Sequence, residues 1–396
     1  MFYIIIGIII LLLSIYYDFN EGEKKNKKFW LNTLLITLIL IPALRYRVGG
    51  DTLSYISEYD YMPSLTNYNT NKNFVESRLQ PLWILFVAIL KSITPSFILF
   101  QITHAIIVNT IIFHVLKKYC NFIFMAIFLY YIYAYFKFNF EVLREALAIC
   151  MIALSIDSCI KKKWCKYYIY VIIAFLFHDS AIIMFFIPFL YGRKINILNS
   201  LIIVGISIII FFNSNIFFER IFSSGILSDK FLLRSYTYIE SNEGFTIKGV
   251  IYYLSIHLIF PLFIYFIGRN NGIRTVVDNF LLSYIFIGLV ASLIPGLYRF
   301  ANYQIIFSII YLSTFFEQIR IHNPQNRIAP IHRLFIVCVL SIVLTYRVIL
   351  IQFRDTSNDY PGTRYYNLYY PYYTIFNPVK YYPRERMVYN MWNYKN

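Results

Sequence analysis

Four short polar stretches carry the residue types that do chemistry on an anionic substrate. They are Arg45-Tyr-Arg47-Val-Gly-Gly-Asp51, Phe140-Glu-Val-Leu-Arg144-Glu145, Phe177-His178-Asp-Ser180 and Tyr298-Arg299-Phe-Ala-Asn-Tyr303. A guanidinium matches phosphate with two parallel hydrogen bonds, so Arg45 and Arg47 suit the binding of a phosphate, while Arg144 and Arg299 are the conspicuous cations of the other stretches. His178 can act as a general base near neutral pH or hold a phosphate when protonated. Gly49 and Gly50 allow backbone conformations and close approach denied to other residues.

Each feature also has an ordinary structural explanation. An arginine pair at the end of an apolar segment anchors it among lipid headgroups. Glu141 or Glu145 can neutralise Arg144 along a helix. A single histidine in an apolar stretch packs more often than it reacts, and Arg299 can snorkel to an interface. Arg45 and Asp51 can also pair with each other and shape their own loop.

Familiar enzyme signatures are missing. The glycines of residues 45–51 lack the lysine and spacing of a phosphate loop, and the chain contains no G-x-S-x-G or H-E-x-x-H. No aspartate pair of the kind used with metal-bound sugar nucleotides stands out, which argues against a nucleotide-sugar transferase. His104, His114 and His257 match no ligand pattern. Cys120, Cys150, Cys159, Cys165 and Cys338 lie within or beside apolar segments at no metal-binding spacing, so neither disulfide nor structural zinc is expected.

The elements that position these stretches are membrane helices. Of 396 residues, 59% are hydrophobic and 14% charged, where a soluble domain has about 25% charged. The composition predicts an all-α polytopic membrane protein, with about 10 to 13 transmembrane or re-entrant helices at ~20 apolar residues per crossing. Candidate spans are 2–17, 29–44, 97–116, 122–139, 141–160, 197–212, 249–267, 278–296, 300–316 and 333–351. The first is read as a retained span, because no basic run precedes it and no cleavage site follows. One membrane domain over 1–351 is expected, with polar loops 45–80 and 213–248 and a Tyr/Pro-rich tail 352–396. An aromatic belt accounts for about half of the tail's tyrosines.

The net charge of +16 is mostly a topology signal, not a nucleic-acid arm. Lysine and arginine clusters at 24–28, 117–118, 161–166, 193–194, 269–274 and 320–333 belong inside, which places loops 45–80 and 213–248 and the tail outside. That assignment makes 81–116 cross once, so 81–90 is a partial or interfacial helix. The segment 167–190 has basic residues at both ends and Phe177-His178-Asp-Ser180 at its centre. It is either a re-entrant hairpin with His178 at the tip or one plain 24-residue helix with His178 midway. Charge symmetry favours the hairpin, and conspicuous polar residues then gather on the outer face.

Taken in order, Arg45-Tyr-x-x-Gly49-x-Asp51-x-x-x-Tyr55, Glu76-x-x-x-Gln80-Pro81-Leu-Trp83, Arg144-x-x-x-Ala148, Phe177-His178-x-Ser180-Ala181 and Tyr298-Arg299-x-x-x-Tyr303 resemble the EpsG family. That family comprises bacterial exopolysaccharide polymerases related to the Wzy O-antigen polymerases. The resemblance covers about residues 40–305 and leaves out the tail and loop 213–248. It implies a GT-C-like architecture in the bacterial cytoplasmic (inner) membrane, with an extracytoplasmic active face. The implied reaction is polymerisation of repeat units carried on undecaprenyl diphosphate. Arg144, Arg45 and Arg299, with Arg47 as alternate, are then expected on the diphosphate, Glu76 and Tyr303 on substrate, and His178 or Asp51 as base. No metal or other cofactor need be invoked, since arginines supply the charge. The implied partners are the lipid-linked oligosaccharide, membrane lipids and other capsule or O-antigen assembly proteins, with no nucleic acid. A glycan ligase and, in a different class, a lipid-linked oligosaccharide flippase or exporter are the alternatives. Polar residues clustered on one face disfavour transport, which needs access from both.

Overall fold

A computed structural model describes residues 2–19, 25–67, 79–212, 251, 254–259, 261–262, 265–266, 276–293, 295–321 and 365–393. Glu76, the loop 213–248, the expected span 333–351 and residues 352–364 lie outside the described residues, as does part of the expected span 249–267. The described chain is helical, with no strand and only two isolated backbone bridges. Phe2–Phe19 and Phe97–Tyr119 are long and apolar enough to cross a membrane.

In chain order the helices are α1 (Phe2–Ser14), α2 (Lys27–Ala43), α3 (Thr52–Tyr61), α4 (Pro81–Ile93), α5 (Phe97–Tyr119), α6 (Ile123–Tyr130) and α7 (Leu143–Ile160). They continue as α8 (Trp164–Phe177), α9 (Ile197–Phe212), α10 (Leu281–Leu293), α11 (Ile305–Ile321) and α12 (Tyr382–Asn393). Local chemistry sets several boundaries. Pro81 occupies the first turn of α4, where its missing N–H costs nothing. Ser96 caps α5 by accepting from the amide of Ile98 at 3.3 Å, and Lys117 and Lys118 complement its carbonyl end.

The 13 residues of α4 rise about 20 Å, short of a ~30 Å bilayer core, as expected for a partial helix. After α6 the helix loosens into two π turns, Tyr131–Tyr135 and Lys137–Glu141, then breaks at Val142 (φ −89°, ψ 58°). Such turns often mark functional sites. The break sets Arg144 in the first turn of α7.

The chain divides into two compact units. The first comprises residues 1–154, 172–179 and 312–396, and the second 155–171 and 180–311. In the first, α2 packs along α5 and α1 along α6. A fully buried polar cluster joins α5 to the π turns. Tyr130 donates to Asn109 Oδ1 at 2.9 Å, Asn109 Nδ2 to Asn139 Oδ1 at 2.8 Å, and Asn139 Nδ2 to the Tyr135 carbonyl at 2.9 Å. Buried amides of this kind are stable only when they satisfy one another.

In the second unit, Ile195, Leu254, Leu258, Leu262, Tyr265, Leu281 and Ile285 form the core. The segment after α8 is a 3-10 helix, Asp179–Phe186, followed by one turn, Ile187–Leu190. The two legs run back alongside each other: Tyr168 stacks on Phe185 at 5.6 Å and Trp164 meets Tyr191 at 5.9 Å. This is the hairpin, with His178 at the reversal, and not the plain helix. Between the expected spans 278–296 and 300–316, Pro295–Gln304 forms a 3-10 helix that leads into α11.

Candidate functional site

The turn between α2 and α3 and the break before α7 meet at Phe140. The Arg45 guanidinium lies 4.8 Å over the Phe140 ring, and Thr52 Oγ1 donates to the Val48 carbonyl at 2.7 Å, with the Phe140 carbonyl at 3.3 Å. Gly49 has φ +117°, and a Cβ there would come within 2.7 Å of the Phe140 carbonyl and 2.6 Å of Thr52 Oγ1. Only glycine fits that approach. Two stretches 93 positions apart (144 − 51) thus form one neighbourhood.

Arg45 belongs to the frame of this neighbourhood. It is 2% exposed, and its Nη1 donates to the Pro42 carbonyl at 2.9 Å. Its backbone carbonyl accepts from Gln101 at 2.8 Å. Burial pulls the guanidinium down to about 10, opposed by the phenols of Tyr372 and Tyr3. Arg47, in left-handed backbone (φ 54°), pairs through Nε with Glu385 at 2.7 Å.

Arg144 is half-buried, and its side chain hydrogen-bonds the hydroxyl of Tyr55. Its buried Nε finds no acceptor among the described residues. Asp51, Tyr55 and Glu58 recur at helical spacing along α3, and both carboxylates act on the Tyr55 phenol. Burial pushes that phenol up to about 12, with Arg144 opposing. Tyr55 is therefore neutral at physiological pH, and its oxygen accepts from Arg144. Glu58 accepts from Trp83 Nε1 at 2.7 Å, and the Trp83 ring meets Tyr55 edge-on at 5.9 Å. Glu141 accepts from the hydroxyl of Tyr369.

Aromatic contacts run from this cluster toward the hairpin tip. Trp83 packs on Phe100 at 5.4 Å, Phe100 on Phe86 at 5.9 Å and Phe86 on Phe177 at 6.3 Å. His178 itself is 5% exposed, with Nδ1 3.4 Å from Asp179 Oδ1. His104 was unremarkable in sequence, yet its Nε2 lies 3.0 Å from the Leu143 carbonyl, beside Arg144. A carbonyl only accepts, so that nitrogen carries the proton.

The second unit holds the remaining candidates. Ser180 and Tyr303 hydroxyls are 3.1 Å apart, which joins the stretch after His178 to the one bearing Arg299. Tyr303 is buried at 1% exposed, and Arg299 is half-buried on the same 3-10 helix. Among the described residues no group of His, Cys, Asp and Glu could hold a metal ion.

Sequence reasoning overlooked Tyr55 as a partner of Arg144, missed Glu58 altogether and set His104 aside as matching no ligand pattern. Tyr55 and Trp83 do stand in the quoted motifs, which was the available signal. The profile of the EpsG family matches residues 28–374, more than the 40–305 resemblance, and takes in loop 213–248 and the first part of the tail. No curated protein and no solved structure matches the chain.

Proposed function

Because the chain belongs to the EpsG family, we propose that it joins oligosaccharide repeat units carried on undecaprenyl diphosphate at the outer face of the bacterial cytoplasmic membrane. Family membership supports a polysaccharide-polymerase role and glycosyl transfer in general terms. The lipid carrier, the face and the residue roles are our reading.

In the proposed reaction a hydroxyl of one lipid-linked unit attacks the anomeric carbon of another. The bond from that carbon to the diphosphate oxygen breaks, and its electron pair stays on the diphosphate. The hydroxyl proton passes to a base. Positive charge on the departing diphosphate is usually the larger contribution, and a base adds ~10²- to 10⁴-fold.

The observation that carries the reading is Arg144. It is a half-buried cation held from one side by Tyr55, with a buried Nε that no described acceptor satisfies. Leaving such a donor unmet costs about 1–3 kcal/mol, and a diphosphate oxygen would satisfy it. Asp51, whose charge reaches the same Tyr55 phenol, is assigned as base. His178 is assigned to fix the hairpin tip. Arg45 shapes the turn from inside, Arg47 stands at its edge, and the roles of Arg299, Tyr303 and Glu76 on substrate rest on the resemblance.

Purified protein supplied with lipid-linked repeat units tests the proposal. A ladder of product lengths that forms about 10- to 100-fold more slowly in Arg144→Ala supports it. A single transfer would identify a ligase, and unchanged substrate moved across vesicles would identify a flippase.

A further inference from the structure

The family match ends at residue 374, yet residues past that point make some of the firmest contacts to the Arg45–Asp51 turn. Arg384, on α12, is 1% exposed. Its Nε donates to the Asn367 carbonyl at 2.9 Å, its Nη1 to the Arg47 carbonyl at 3.2 Å, and its Nη2 to the Pro371 carbonyl. One guanidinium therefore ties the turn to two points of the tail. Glu385 grips the Arg47 side chain at 2.7 Å.

Backbone pairing completes the attachment. The Tyr46 amide donates to the Tyr373 carbonyl, and the Gly49 amide to the Leu368 carbonyl, both at 2.8 Å. Arg47 and Gly49 both have positive φ, at 54° and 117°. Left-handed backbone at a non-glycine residue costs ~1–3 kcal/mol and persists only where surrounding contacts impose it. A buried cation is likewise tolerated only when hydrogen-bonded. Arg384 supplies an external acceptor-seeking group at the one residue of the turn that needs holding.

We propose that Arg384 is a positioning residue for the polymerase reaction, clamping the Arg47 backbone so that the turn presents Asp51 beside Arg144. The proposal rests on the reading of Arg144 and Asp51 given above. It assigns catalytic consequence to a segment beyond the family match.

The test uses full-length protein in lipid nanodiscs, with Arg384→Gly, Arg384→Lys and wild type compared in two measurements. Hydrogen exchange of residues 44–50 reports the clamp, and the turnover of lipid-linked repeat units reports its consequence. Arg384→Gly is expected to speed exchange at Tyr46 and Gly49 and to lower kcat on the order of 100-fold, the effect of a small misplacement. KM should change much less, Arg384→Lys should recover part of the loss, and added guanidinium chloride should recover more than sodium chloride at equal ionic strength. Faster exchange with unchanged kcat would overturn the proposal, as would lost kcat with the turn still protected. A variant too unfolded to insert is replaced by Glu385→Gln, which loosens the same turn from its edge and is read by the same two outcomes. Wild type that makes no polymer would refute the polymerase reading, whereas unchanged exchange would refute the clamp.

Discussion

The Tyr167 hydroxyl donates to the Met184 carbonyl at 2.7 Å, although the two residues stand 17 positions apart. A straight helix would separate them by about 25 Å. The chain between them therefore reverses, and His178 occupies the reversal. In a variant stripped of native cysteines, new cysteines at positions 162 and 194 should react with a membrane-impermeant thiol reagent from the same side. Labelling from opposite sides would show that the segment crosses.

Arg144 and Tyr55 should respond differently to substitution. Arg144→Ala is expected to lower kcat/KM about 10- to 100-fold, the worth of a charge-assisted hydrogen bond. Steady-state kinetics on lipid-linked units would measure it. Tyr55→Phe should cost less, because it removes a neutral acceptor that orients the cation.

The pH dependence of Tyr55 has a definite sign. Its folded value, about 12, exceeds the ordinary tyrosine value of 10.0, so its stabilising contribution is complete below pH 10 and is lost as pH rises through about 12. Activity profiles of wild type and Tyr55→Phe should run parallel from pH 6 to 9. A limb below pH 9 that disappears in the variant would contradict burial of the phenol.

Asp51 and His178 are separable by paired variants. With Asp51 as base, Asp51→Asn should lower kcat ~10²- to 10⁴-fold. His178→Gln should retain more activity and instead increase exchange of hairpin amides. The reverse ordering of turnover would move the base to His178.

Gly49→Ala probes the approach of the turn to Phe140. With φ at +117° and Phe140 and Thr52 atoms in the way, the substitution should destabilise the protein by about 1–3 kcal/mol. A thermal unfolding scan that shows no loss would mean that the turn relaxes freely. Gly50→Ala, whose Cβ would lie 3.6 Å from Leu368, is expected to be milder.

Apolar runs and charge placement were sufficient to read most helices. The expected 97–116 and 141–160 became Phe97–Tyr119 and Leu143–Ile160, and the matched basic ends of 167–190 pointed to the hairpin over hydropathy. Arg45 shows the limit of the same reasoning. An arginine at a span's end reads as a headgroup anchor or a phosphate ligand, yet its guanidinium is buried over Phe140, a contact across 95 positions (140 − 45) that no local pattern encodes.

The sequence by itself determined the helical membrane class, the family and the polar stretches to which the chemistry is assigned, because segment hydropathy, loop charge and short motifs are local properties. Tertiary structure decided which of those stretches touch. It set Tyr55 against Arg144, joined Ser180 to Tyr303 and brought the tail onto the Arg45–Asp51 turn. The tail's tyrosines illustrate the reason. Their composition suits an interfacial belt, but Tyr369 and Tyr372 direct their hydroxyls to Glu141 and the Ile41 carbonyl, partners fixed only when distant segments pack.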